Sequence, residues 1–161
     1  CLSRDYNYLS KLIFLTLKTK IKFFKDDIYE NSTRLNLNFG HTFAHAIEMA
    51  IKSKTNDIIR HGEAVGIGML CEIHYVEGKG KNFKFLEMLL KNYRLPTNIN
   101  SFVKTKSKKM VLKKIYNNIF LNKKRINKFP RIIELKKIGK SKIFEMKNNK
   151  KIIETIKNFI I

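Results

Sequence analysis

Two short stretches decide the fold of this chain: residues 37–48 read LNFGHTFAHAIE, and residues 61–69 read HGEAVGIGM. His41 and His45 are four residues apart, so a helix places both imidazoles on one face, one turn apart. His61 stands where we predict the next helix to begin, and its ring is expected to project from that helix end toward the preceding helix. Two or three neutral imidazoles with a carboxylate form a usual catalytic zinc set. The alternative is that the histidines have no functional role, one being buried in the core and the other exposed, since an HxxxH pair alone is a weak signal.

The polar residues before the first histidine extend this pattern. Glu30, Arg34, Asn38, His41 and His45 follow one another at intervals of four, four, three and four residues. Such spacing predicts a row of polar side chains on one surface. Arg34 offers a planar donor fork for a carboxylate or phosphate, Asn38 hydrogen-bonds with hydroxyls, and Glu30 is a candidate base. The alternative, a solvated helix face, is expected to be rich in Lys in this chain.

The apolar periodicity predicts a mostly α fold with a short β-hairpin, in one domain over residues 1–161. We expect the hairpin in 131–146, with a turn at Gly-Lys-Ser, and helix ends near Gly78 and Pro96. Gly62 is expected to permit a close backbone approach. The expected helices span residues 8–24, a segment starting near Asn38, 61–80, 83–93, 107–121 and 150–161.

The charge is strongly basic and unusually distributed. The formal net charge is +21, and only six of the 34 basic residues are Arg. A nucleic-acid-binding protein usually concentrates its positive charge in a patch and uses Arg for bidentate contacts to bases and phosphates. In this chain, Lys is scattered along the sequence beside abundant Asn, Ile and Phe. We therefore favour compositional drift over a nucleic-acid interface, and expect anionic small molecules to be attracted.

The cysteines and the hydropathy pattern indicate the compartment. Cys1 and Cys71 are too few for a disulfide framework, and neither a signal peptide nor a long apolar run is visible. We expect a soluble cytoplasmic protein without membrane or nucleic-acid partners. Because the chain begins with Cys in a segment that reads as helix interior, we also expect missing sequence upstream.

The quoted motifs resemble one family, the C-terminal domain of 3-dehydroquinate synthase. The resemblance is carried by RLNLNFGHTFAHAIE at 34–48 and HGEAVGIGM at 61–69. It continues more faintly through RLP at 94–96, NKK at 122–124 and IGKS at 138–141. The paired motifs, preceded by R-x-x-x-N, are far more specific than an isolated HxxxH.

The resemblance implies a role for particular residues of this chain. His41 and His61 match the family's metal ligands, and His45 and Glu30 match positions assigned to proton transfer. The matching substrate-binding positions are Lys20, Arg34, Asn38 and one of Lys123 and Lys124. The family's third metal ligand, a glutamate, and its NAD-binding domain are expected upstream of Cys1.

The resemblance also implies a reaction and its partners. 3-Deoxy-D-arabino-heptulosonate 7-phosphate is converted to 3-dehydroquinate and phosphate, with bound NAD oxidising and later re-reducing one substrate carbon. The implied cofactors are NAD and a divalent metal, zinc or cobalt. The implied partners are a sugar phosphate substrate, the N-terminal NAD-binding domain and a second copy in a homodimer.

Two positions depart from the family pattern, and three alternatives stay open. Ala44 stands where the family usually has Gly, and Asn122 replaces the acidic residue of the family's D-K-K motif. The alternatives are another sugar-phosphate cyclase of the same superfamily, an inactive relative, and a basic helical module that binds nucleic acid. In the last case, replacing Lys residues weakens binding while replacing His41 has no effect.

Overall fold

The computed structural model describes residues 5–29, 32–51, 58–104, 107–121 and 129–160, which cluster into two compact units, Cys1–Asn38 and Phe39–Ile161. The expected mostly α architecture with one hairpin is confirmed, while the single-domain organisation stays a prediction. The described helices and strands are α1 Tyr6–Asp26, a 3₁₀ helix Thr33–Asn38, α2 His41–Ile51, α3 His61–Glu77, α4 Lys81–Asn92, a 3₁₀ helix Asn100–Phe102, α5 Lys108–Leu121, β1 Arg131–Lys137, β2 Lys140–Glu145 and α6 Asn149–Ile160.

The first unit consists of α1 and the 3₁₀ helix Thr33–Asn38. Asp5 caps α1, because its Oδ1 accepts hydrogen bonds from the backbone N–H groups of Asn7 at 2.8 Å and Tyr8 at 3.3 Å. The predicted helix is therefore confirmed, although α1 contributes no buried residue.

The second unit is built around α2 and α3. α2 packs against α3 and α5, and α6 covers α3 and α5 from another side. The antiparallel hairpin lies against α3 through β1, and its turn is Ile138–Gly139, where Gly139 has a φ of +82°. Large apolar side chains from all of these helices form one continuous core.

The start of α2 and the middle of α3 approach each other closely. A Cβ atom on Gly68 would lie 2.1 Å from the carbonyl oxygen of Gly40 and 2.9 Å from the amide nitrogen of Ala44. Ala44 is fully buried beside this contact, so its methyl group is accommodated at the place where the family usually has Gly. The expected close approach at Gly62 is wrong, because a Cβ there would meet no described atom within 4 Å.

The predicted row of polar residues is divided between two helices, and its placement on one surface stays a prediction. Arg34 and Asn38 lie in a 3₁₀ helix that ends at Asn38, whereas α2 begins at His41. Gly40, with a φ of +84°, interrupts the helical path between them. Only His41 and His45 therefore share one continuous helix, and Glu30 lies outside the described residues.

No helix in the described part of the chain combines the length and the apolar character that crossing a membrane requires.

Candidate metal and proton-transfer site

Three histidine rings converge where α2 and α3 begin. The ring centroids of His41 and His45 lie 5.5 Å apart, and that of His61 lies 5.4 Å from His41 and 6.0 Å from His45. The predicted beginning of α3 at His61 is confirmed, and so is the approach of its ring to the preceding helix. The sequence thus places three imidazoles on two helices within reach of one small ligand.

Two of the three rings are held at Nδ1. His61 Nδ1 lies 2.9 Å from Oε1 of Glu48, and His41 Nδ1 lies 3.3 Å from the carbonyl oxygen of Phe39. Because a carbonyl oxygen only accepts hydrogen bonds, His41 donates through Nδ1–H and its Nε2 carries the lone pair. Within the described residues, neither ring nitrogen of His45 has a hydrogen-bond partner. His45 therefore differs from the other two histidines, whose Nδ1 atoms each have a described partner.

A second set of side chains also meets the distance requirement for binding a metal. His45, Glu48 and His61 each offer one ligand atom, and these atoms lie within 4.8 Å of one another. Glu48 is one turn beyond His45 and two turns beyond His41 on α2. The side chains of His41, His45 and Glu48 therefore lie on the same face of this helix. Around His61 the structure therefore gathers two further imidazoles and one carboxylate.

The start of α3 is held by a local cap. The backbone N–H of Arg60 donates a hydrogen bond of 2.9 Å to Oε2 of Glu63 in the first turn of the helix. This contact satisfies one backbone donor and places a carboxylate near the positive end of the helix dipole. The cap therefore helps to position His61, the first residue of α3.

Polar contacts join α3 and the start of α2 to the hairpin. Glu72 on α3 is 0% exposed, and its Oε2 accepts a hydrogen bond of 2.9 Å from the backbone N–H of Ile133 in β1. Burial raises the pKa of Glu72 to about 8, although the backbone N–H groups of Ile133, Gly40 and Thr42 lower it in part. The Thr42 hydroxyl also donates to the carbonyl oxygen of Arg131. These contacts connect the first turn of α2, which carries His41, to α3 and the hairpin.

Comparison with known proteins decides the family. The sequence pattern described as 3-dehydroquinate synthase C-terminal matches residues 1–125 of the 161. The chain belongs to this family. It is 34% identical over 99 residues to a 3-dehydroquinate synthase of Streptococcus pyogenes serotype M6, covering 59% of this chain and 27% of the relative. It is 33% identical over 135 residues to that of Helicobacter pylori strain G27, covering 81% of this chain and 36% of the relative.

The chain corresponds to only part of each dehydroquinate synthase that it matches. The chain spans about a quarter to a third of the length of the curated relatives that it matches. The predicted resemblance to the C-terminal domain is therefore confirmed. The activity, substrates and partners of a whole synthase are matters for a proposal.

The remaining family positions that the structure describes belong to the first unit. Lys20, Arg34 and Asn38 are in the first unit, where Lys20 is exposed on α1. The Arg34 guanidinium carbon lies 3.7 Å from the centroid of the Phe24 ring, and its Nη1 donates to the Ile28 carbonyl oxygen at 2.7 Å. The roles predicted for these residues stay predictions, as do those of the residues outside the described part, Glu30, Lys123 and Lys124.

Two residues of the site were not predicted from the sequence. Glu48 belongs to the quoted motif and lies one turn after His45, and this spacing was an available signal for it. Glu72 lies inside a largely apolar helix, and its partners Ile133 and Thr42 are distant in the sequence. No local pattern connects Glu72 to either of them.

Proposed function

We propose that this chain is the metal-binding half of a 3-dehydroquinate synthase and that it acts with an N-terminal NAD-binding domain. The proposed reaction converts 3-deoxy-D-arabino-heptulosonate 7-phosphate to 3-dehydroquinate and phosphate in the shikimate pathway. The proposal rests on the convergence of His41, His45 and His61 in a chain of this family. Their ring centroids lie within 6.0 Å of one another. The proposal includes a cytoplasmic homodimer.

His41 and His61 are the proposed metal ligands, and they suit that role chemically. Metal-binding histidines usually donate the second ring N–H to a carbonyl or carboxylate, and each of these rings meets such a group at Nδ1. His41 and His61, with a glutamate of the N-terminal domain, would hold a zinc or cobalt ion, which would supply Lewis acidity toward adjacent substrate hydroxyls. NAD is bound by the N-terminal domain in this proposal.

His45 is the proposed proton carrier beside these ligands. It lies on the same face of α2 as His41, and its ring nitrogens are not held by any hydrogen bond to the described residues. An imidazole in this setting takes a proton from one substrate position and returns it to another without leaving the helix. Glu30 is proposed to assist as a second base.

Cationic residues of the chain are proposed to bind the substrate anions. Arg34 and Lys20, with Lys123 or Lys124, neutralise the substrate carboxylate and phosphate, and Asn38 binds a hydroxyl. The guanidinium of Arg34 is a planar donor group whose fork geometry suits a phosphate or carboxylate. The net charge of +21 attracts such anions over a longer range.

The test is His61→Ala in a form of the protein that includes the N-terminal domain. Because the variant loses one of the proposed ligands, we expect zinc content after dialysis to fall below one tenth of the wild-type value. Turnover, followed as phosphate release, is expected to fall at least a hundredfold. Metal content is measured by mass spectrometry of the protein solution.

The fourth histidine gives a matched control. His74 packs edge-on against Phe83 and Phe159, and its buried Nδ1 has no hydrogen-bond partner within the described residues. His74→Phe keeps a ring in this apolar setting and is expected to retain metal and turnover. Undiminished turnover in His61→Ala and after chelation contradicts the proposal. If the protein turns over a different sugar phosphate and not this substrate, it is another cyclase of the superfamily.

A further inference from the structure

The contact between Glu48 and His61 has a chemical consequence for the proposed metal site. Glu48 Oε1 and His61 Nδ1 are 2.9 Å apart, at hydrogen-bond distance. An ionised carboxylate has no proton to donate, so the ring must donate through Nδ1–H. A neutral imidazole with its proton on Nδ1 carries its lone pair on Nε2, which is then the atom available to a metal ion.

We propose that Glu48 is a positioning residue that fixes His61 in the Nδ1–H tautomer and thereby orients its Nε2 as a metal ligand. This inference deepens the proposed function and rests on the metal site proposed there. Carboxylates that accept the outer N–H of a ligating histidine fix the ring orientation and raise its basicity. Glu48 is suited to this task because α2 carries it two turns beyond His41, on the face that meets the start of α3.

Burial does not orient the His61 ring. The side chain of His61 is 57% exposed, and that of Glu48 is 28% exposed. An exposed pair of this kind contributes little to the stability of the fold, so its loss should change ring orientation far more than folding. His41 achieves the same tautomer through the backbone carbonyl oxygen of Phe39, which no substitution of a side chain removes. The two proposed ligands therefore differ in how their rings are held. Only the ring of His61 is held by a side chain that a substitution can remove.

The test combines zinc affinity with the tautomer of His61 in the protein that includes the N-terminal domain. Zinc affinity is measured by competition with a chromophoric chelator, and the tautomer by two-bond ¹⁵N–¹H NMR of histidine-labelled protein without metal. In Glu48→Ala we expect zinc affinity to fall roughly 10- to 100-fold and His61 to lose its preference for Nδ1–H. In Glu48→Gln the amide oxygen still accepts the hydrogen bond, so the tautomer is retained and affinity falls by less.

The control is Glu87→Ala on α4, which removes a carboxylate that forms an ion pair with Lys91 at 3.1 Å, away from the histidines. It is expected to keep wild-type zinc affinity and the wild-type His61 tautomer. Two results overturn the inference: Glu48→Ala with zinc affinity within twofold of the wild type, or zinc bound at Nδ1 of His61. Glu48→Gln binding as weakly as Glu48→Ala also overturns it, because Glu48 is then a ligand itself. Failure of the proposed function is a different result, namely wild-type protein that binds no zinc and releases no phosphate while His61 keeps its Glu48-dependent tautomer.

Discussion

The segment that carries Arg34 and the segment that carries the histidines differ in how their side chains are held. Arg34 contacts Phe24, Ile28 and Asp27, all within ten residues of it in the sequence. The contacts beside the histidines join residues farther apart, 13 residues for Glu48 and His61 and 89 residues for Thr42 and Arg131. The proposed metal site therefore depends on the tertiary packing of its unit, whereas the proposed anion-binding residue depends on local contacts.

Burial shows the same difference. α2 buries six of its 11 residues, whereas α1 buries none. A substitution inside the packing of α2 and α3 is therefore expected to affect the stability of the whole second unit. A substitution beside Arg34 is expected to affect only its own segment. Substitutions at three positions test this difference, in order of decreasing effect.

The largest effect is expected from Gly68→Ala. The new methyl group would lie 2.1 Å from the Gly40 carbonyl oxygen, so the backbone of α2 or α3 must shift. We expect a loss of more than about 3 kcal/mol in the free energy of unfolding, measured by urea denaturation. Gly62→Ala, in the same helix, is the control and is expected to change stability by less than about 1 kcal/mol, since its methyl group meets no described atom. Equal losses in the two variants contradict close packing at Gly68.

The second effect concerns the proton on Glu72. Its pKa of about 8 in the folded chain is above its ordinary value of 4.5, so the native state binds this proton more tightly than the unfolded chain. The free energy of unfolding should therefore fall as pH rises between these two values. From pH 6 to 7.5 the expected loss from this group is about 2 kcal/mol.

Two variants separate the proton of Glu72 from its hydrogen bond. Glu72→Gln keeps an acceptor for the Ile133 N–H but cannot ionise. The difference in free energy of unfolding between wild type and this variant should therefore change by about 2 kcal/mol from pH 6 to 7.5. Glu72→Ala leaves the buried N–H unpaired and is expected to be about 2 kcal/mol less stable than Glu72→Gln at every pH, since neither variant ionises at this position. Both measurements are urea titrations at several pH values. A constant difference between wild type and Glu72→Gln contradicts the raised pKa.

The sequence predicted the helices and the meeting of the histidines because their signals are local. The apolar periodicity, the Gly78 stop and the HxxxH spacing each lie within a few turns of one helix. The spacing from Arg34 to His41 did not reveal the break at Gly40, because intervals of three and four residues also occur across two helices that a left-handed φ separates. Glu72 was missed because its partner Ile133 is set by packing between distant segments.

The smallest effect is expected from Asp27→Ala, at the start of the segment that carries Arg34. Asp27 is buried, and its Oδ2 accepts hydrogen bonds from the backbone N–H groups of Ser32 at 2.7 Å and Arg34 at 3.1 Å. Removing this acceptor is expected to cost roughly 1 kcal/mol locally, which corresponds to about fivefold faster hydrogen exchange at these two amides.

The measurement is hydrogen exchange by NMR, with Asp26→Ala as the control because Asp26 is the exposed neighbour at the last position of α1. The control should exchange at wild-type rates at Ser32 and Arg34. Since the contacts of Asp27 are local, exchange in α2 and α3 should be unchanged in both variants. Faster exchange throughout the second unit in Asp27→Ala would show that the segment carrying Arg34 and the packing around the histidines are energetically coupled, and would remove the distinction between local and tertiary control of the two groups of residues.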